Sequence, residues 1–373
     1  MIQIVKVETK KQRKEFVNFP LKLYKNNPYF VPPLYMDEMN LFTDKNVYNK
    51  TCQSSFFLAI KDGKVVGRIQ GIIQNQFNQI HNEKRARFTR FDAIDDKEVS
   101  SMLFNAVENW AKDNGMNKMC GPLGYSDLER EGLLIEGFEE LSTFEEQYNY
   151  PYYQKLIESE GYVKEIDWIE SKIKNNPKYV DKLAKVAKRS LELTNLHVAD
   201  TSISKKEYIK KYKNGFFDCL DECYRELYGT VPFTEEMKKQ MIDQFMLIIN
   251  KKYLLFICDE NEKVVAFALC FPGIGKSLQK SGGRLTPFAL IRLLKAVKNP
   301  EIIDLGLIGV LPKYQKLGIN AVALDCLAKM LNDGKVKYCE TNLNLETNQN
   351  VQSQWKYFDA VIHKRRRSFV KDI

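Results

Sequence analysis

Histidine is scarce in this chain: His81, His197 and His363 are the three in 373 residues. A histidine-based metal site or catalytic triad is poorly supplied. The eight cysteines are scattered, and most sit in apolar patterns, Cys258 and Cys270 in strands and Cys326 in a helix. Cys219 and Cys223 are close, but no histidine or second cysteine pair stands near them. Neither a disulfide framework nor a zinc site is expected, and no metal is assigned. No apolar run approaches membrane-spanning length, and MIQIVKVETKKQRK lacks a signal-peptide core. A cytoplasmic protein without a membrane partner is expected.

What is present describes a globular chain. Hydrophobic residues make up 44% and charged residues 28%, and the length allows two domains. The formal charge of +9 is spread along the chain, except at His363-Lys364-Arg365-Arg366-Arg367, which reads as the exposed part of a closing strand. No aromatic-basic motif supports nucleic-acid contact.

The most informative stretch is Ile302 to Met330. Ile302, Ile303, Leu305, Leu307, Ile308 and Val310 form an apolar run of strand length, and Pro312 stops it. Ile319, Val322, Ala323, Cys326, Leu327 and Met330 then recur on one helical face. Between them, Lys313 and Lys316 add positive charge, and no acid occurs from Val310 to Ala323. Gly318 lacks a Cβ, so a ligand could approach the backbone there. Free amides at a helix start, with the helix dipole, favour an anion. The loop is neither a Walker sequence nor GxGxxG. An ordinary turn with solvated lysines would share these features.

Val310-Leu311-Pro312-Lys313-Tyr314-Gln315-Lys316-Leu317-Gly318-Ile319-Asn320 resembles the acyl-CoA pyrophosphate loop of the GNAT acyltransferase superfamily, V-x-P-x-x-Q/R-x-x-G-x-G/A. Gln315 and Gly318 match, and Asn320 replaces the last small residue. A second family signature, an Asn with a Tyr seven residues on, corresponds to Asn350 and Tyr357. The resemblance covers the C-terminal half well. It implies contacts to acetyl-CoA from Ile308, Gly309, Val310, Gln315, Lys316, Leu317, Gly318, Ile319, Asn320 and Ala321. Asn350 would hold the pantetheine arm or the helix start.

The order of elements repeats. FFLAIKDGKVVG, with Asp62-Gly63 as a hairpin turn, aligns with LLFICDENEKVVA, and in each half strand, helix and strand follow. Residues 1–174 form a degenerate copy and 175–373 the acyl-CoA-binding copy. The join falls near Lys174-Asn175-Asn176-Pro177. The expected fold is α/β (α+β), two tandem GNAT-like domains with mixed central sheets flanked by helices. In the first copy the corresponding turn carries Asp92, Asp95, Asp96 and Glu98 and no glycine, so it should repel phosphate. That copy is structural or walls the acceptor site. PYFVPPLYMDEMNLF reads as a packed loop and GPLGYSDLEREGLLIEGF as turn-like. GIGKSLQKSGGR reads as flexible, and TPFALIRLLKAVKNP as an amphipathic helix, either a lid or wall of the acceptor pocket or packed on the sheet edge.

The resemblance implies transfer of an acyl group, acetyl by default, from acyl-CoA to an amine. Tyr357 would be the general acid to the leaving thiolate, and a backbone N–H within Ile308–Val310 the oxyanion donor. Glu340 and Glu346 flank the cleft strand as the nearest base candidates, Glu340 first. Two alternatives remain: a Fem-type aminoacyltransferase using aminoacyl-tRNA, and a non-catalytic CoA-binding or regulatory module. The intact loop and the lack of a coiled-coil arm argue against the former. A homodimer is left open.

Overall fold

The computed structural model describes all 373 residues. The first half runs β1 (Ile2–Lys6), α1 (Lys10–Leu23), α2 (Tyr35–Asn40), β2 (Cys52–Lys61), β3 (Lys64–Gln74), α3 (Asn75–His81), β4 (Arg85–Ala93), α4 (Lys97–Asp113), β5 (Lys118–Gly121), β6 (Leu133–Glu136), α5 (Tyr152–Ser159) and β7 (Val163–Lys174). The second runs α6 (Pro177–Thr194), β8 (His197–Val198), α7 (Lys205–Tyr224), α8 (Glu235–Phe245), β9 (Leu254–Cys258), β10 (Val264–Pro272), α9 (Gly275–Gln279), α10 (Pro287–Lys298), β11 (Ile302–Val310), α11 (Asn320–Asn332), β12 (Tyr338–Thr341), β13 (Asn344–Leu345), α12 (Gln349–Gln352) and β14 (Asp359–Asp372).

Local chemistry accounts for most boundaries. Asp62 and Gly63 both take positive φ, 51° and 73°, the conformation a two-residue hairpin turn requires. Thr9 and Gln12 close a capping box at the start of α1. That helix runs through Pro20 to Leu23, because Pro20 sacrifices only its own missing N–H. Its carbonyl still accepts from Tyr24 at 2.9 Å, and Phe16, Val17 and Phe19 are buried. PYFVPPLYMDEMNLF is not simply a loop: it contains α2, whose Glu38 is buried against Arg90. A tertiary ion pair placed that helix, so no local signal announced it. GPLGYSDLEREGLLIEGF holds the short strand β6, paired to β14. The GIGKSLQKSGGR segment contains α9 and is tied down, with Gln279 Nε2 donating to the carbonyls of Pro28 and Phe30.

The two halves repeat one unit. β2–β3–β4 and β9–β10–β11 are antiparallel meanders, and each is followed by a helix and a strand parallel to the last, β5 on β4 and β12 on β11. The sequence suggested a sheet per half. All fourteen strands instead join one sheet, whose main order is β1-β2-β3-β4-β5-β14-β7-β12-β11-β10-β9-β8. The final strands are exchanged. β14 from the second half lies against β5, and β7 from the first half lies against β12. β7 and β14 pair with each other from Asp359↔Lys174 to Val370↔Val163.

This exchange corrects the reading of His363–Arg367 as exposed. The run lies mid-sheet, and the side chains of Lys364 and Arg366 are 0% exposed. Burial of charge is tolerated because each meets carboxylates. Lys364 Nζ bonds Glu146 (3.2 Å), Glu170 (2.9 Å) and Glu340; Arg366 Nε bonds Glu170 at 2.7 Å. Arg367 is held by Asp167 at 2.8 and 3.0 Å.

Candidate functional site

A cavity of about 900 Å³ opens where β11 and β12 part. The two strands pair from Ile302↔Tyr338 to Leu305↔Thr341, and the Asn342 N–H still reaches the Leu305 carbonyl at 3.1 Å. Beyond that point β12 gives way to β13, which turns toward β7, while β11 continues to Val310 with β10 alone beside it. The free edge of β11 faces the wedge. Ile308 presents both backbone groups there, and the Tyr224 hydroxyl meets them, accepting from the N–H at 3.3 Å and donating to the carbonyl at 3.2 Å.

The loop after β11 closes one end. Pro312–Tyr314 form a short 3₁₀ turn, Lys316 takes φ +64°, and α11 starts without any side-chain cap. The amides of Lys316, Leu317, Gly318, Ile319 and Asn320 donate to no other group of the chain. Gln315 Nε2 donates to the Val310 carbonyl at 3.1 Å and braces the loop. Uncapped amides at the positive end of a thirteen-residue helix are the kind of group to which an anion is attracted. Ile308, Gly309, Val310, Gln315, Lys316, Ile319 and Asn320 all line the cavity. Leu317, Gly318 and Ala321 do not: Leu317 points to solvent and Ala321 is buried. Gly318 also differs from the reading that its missing Cβ admits a ligand. It sits at φ +80°, and a Cβ there would meet Ser190 Oγ of α6 at 2.4 Å. Helix packing explains that glycine.

Tyr357 lines the cavity at the end of the 3₁₀ turn Ser353–Tyr357, half-buried and edge-on to Tyr179. Asn350 lies at the exposed margin. It does not cap the helix that follows; Asn348 does, accepting from the Val351 N–H. Glu340 is not brought to the cavity. It is buried under Lys364, whose positive charge offsets the cost of burial and holds the carboxyl below its ordinary range. Glu346 is also elsewhere, paired with Lys164 at 2.8 Å.

Several cavity groups had no signal in the sequence. Asp127, Glu129, Glu131 and Glu145 reach in from first-half loops. Glu145 stands beside Asn342, where the strands part, with Oε2 3.5 Å from Nδ2. Burial and the neighbouring Glu146 push it up to about 8, against a weaker pull from Arg130. Burial likewise raises Asp127 to about 6. Only the folding of residues 126–146 against the second half brings them here, so no spacing could reveal them.

The matching place in the first half is closed. β4 and β5 part after the Leu123 N–H to Phe88 carbonyl bond, but Arg90 fills the wedge, bonded to Glu38 and Gln70, beside an Arg68–Asp92 pair at 2.7 Å. About 20 Å³ remains. The start of α4 is capped by Asp96, which accepts from the Glu98 and Val99 amides and is held by Lys61 at 2.9 Å.

No family model matches the chain. Among curated proteins, the protein YghO of Escherichia coli strain K12 is 27% identical over 98% of this chain and 94% of its own length. A bacterial ceramide synthase of Caulobacter vibrioides is 26% identical over 84% of this chain and 82% of its own. Among solved structures, a tandem GNAT protein from the clavulanic acid biosynthesis pathway aligns over 100% of this chain and 98% of its own, with a TM-score of 0.58 and 11% identity. This chain has the tandem GNAT fold. The GCN5-related glucosamine N-acetyltransferase region of a fungal multi-domain β-N-acetylglucosaminidase also aligns over the whole chain and 38% of its own, with a TM-score of 0.59 and 11% identity. Strands part in both halves of this fold, but the wedge is open and the following helix uncapped only in the second; in the first, Arg90 fills the wedge and Asp96 caps the helix.

Proposed function

We propose that the second half binds acyl-CoA and transfers its acyl group to a primary amine. The observation that carries this reading is the run of five undonated amides, Lys316 to Asn320, in the loop after β11, of which Lys316, Ile319 and Asn320 line the cavity beside the free edge of that strand. The diphosphate of CoA lies on those amides, with Lys316 adding charge. The pantetheine arm runs along β11. The thioester carbonyl takes over the Ile308 N–H now held by Tyr224, which becomes the oxyanion donor. Glu145 accepts the proton of the attacking ammonium, since a carboxyl titrating near 8 is matched to that task at neutral pH. Tyr357 returns a proton to the departing thiolate. The products are an amide and free CoA.

The sequence alone took acetyl as the acyl group. The cavity volume is near the top of the usual range for small-molecule pockets, about 300 to 1,000 Å³, and its lining is mostly hydrophobic. A relative named as a ceramide synthase points the same way. We therefore place a long aliphatic chain in the cavity, on the acyl donor, the amine, or both. The test is release of free thiol from a graded series of acyl-CoAs with short and long-chain amines. Turnover should rise with chain length and fall about 10²-fold in Glu145→Gln. Binding of CoA with no thiol release from any pair would instead support a non-catalytic CoA-binding module.

A further inference from the structure

Between the β9–β10 hairpin and β11 lies a segment with an unusual surface. From Gly273 to Pro300 the chain carries Lys276, Lys280, Arg284, Arg292, Lys295 and Lys298, and no acid. None of these six makes an ion pair with a carboxylate; Arg284 instead stacks over Tyr35 and donates to Asn18. α10 is set rigidly. Thr286 caps it, Pro287 begins it, and Ala289, Leu293 and Val297 bury one face. The Tyr35 amide and Gln279 fasten the preceding loop to the first half. The opposite face carries Phe288 (77% exposed), Ile291 (64%) and Leu294 (45%), with Leu285 (45%) just before the helix. Lys295 and Lys298 stand on that same face by helical spacing.

We infer that this face docks on an anionic lipid bilayer. Large apolar side chains standing free in water, interleaved with uncompensated cations, match the headgroup boundary. There the phenyl and aliphatic groups enter the acyl region while lysines on flexible stems reach the phosphates. Charge decides between occupants. A second copy of this chain would set the same cations against each other, and a nucleic acid would leave the apolar ridge in water. No helix is long and apolar enough to cross a membrane, so the contact is peripheral. It revises the expectation of no membrane partner and stands whether or not the cavity acylates anything. Leu293, Val297 and Leu278 belong to the core cluster that also contains Phe271 of the cavity wall, so docking would hold that wall near the lipid surface.

The test is co-sedimentation of the full chain with vesicles of phosphatidylcholine alone or mixed with phosphatidylglycerol. Retention should require phosphatidylglycerol and fall as salt rises. It should drop about tenfold or more both in Phe288→Ser/Ile291→Ser and in Lys295→Glu/Lys298→Glu, with melting temperatures unchanged because all four side chains are exposed. Absence of wild-type retention on anionic vesicles would overturn the inference, as would equal retention of the serine variant. So would sedimentation showing a wild-type dimer that the serine variant abolishes without any vesicle binding, which assigns the face to a second copy.

Discussion

Gly318 and Glu145 carry opposite lessons at the scale of single residues. Gly318 stood out in the sequence, and its position at the turn is as the motif suggested, but its job is to let α6 approach. Alanine there adds a Cβ at φ +80° against Ser190. Gly318→Ala should cost about 1–3 kcal/mol, read as a lowered denaturant midpoint. Glu145 had no sequence signal, because only a long-range fold sets a first-half carboxyl beside Asn342. Its protonated form is favoured by the fold. Between about pH 4.5 and 8 the unfolded chain releases this proton while the folded chain keeps it, so this group makes the protein less stable as pH rises through that window. Glu145→Gln should therefore raise the melting temperature above neutral pH while removing the alkaline-rising limb, centred near pH 8, from the rate profile. Loss of activity without either pH effect would assign Glu145 a merely structural part.

At the scale of elements, the hairpins, α4, β11 and α11 were readable because periodicity and turn chemistry agreed with tertiary placement. β14 was readable as a strand and misread as a surface. Five consecutive basic and histidine residues look solvated unless their partners are known, and those partners, Glu146, Glu170, Glu340 and Asp167, lie on three other segments. Lys364→Met leaves three carboxylates facing one another in a dry site. It should destabilise the chain by about 3–5 kcal/mol, measured by urea unfolding. Glu170 and Glu340 are both held below their ordinary range, chiefly by Lys364 against the cost of burial. Their share of stability is complete above about pH 4.5 and is lost as pH falls through their depressed values, so acid should unfold the wild type through this cluster.

At the scale of the whole molecule, the duplication was legible and the strand exchange was not, since nothing in a sequence says which sheet a last strand joins. Because β7 completes the second half and β14 the first, each half lacks a strand when expressed alone. Deleting residues 359–373 should abolish cooperative unfolding of the entire chain, seen as a single lost calorimetric transition rather than one of two. The halves have diverged in their wedges: one is plugged by Arg90 and capped by Asp96, the other open and uncapped. One diphosphate site per chain is therefore expected. Titration calorimetry with coenzyme A measures this directly. One equivalent should bind per chain, Lys316→Glu should weaken it about tenfold or more, and Lys61→Glu in the first half should leave it unchanged. Two equivalents, or no heat at all, would contradict the account.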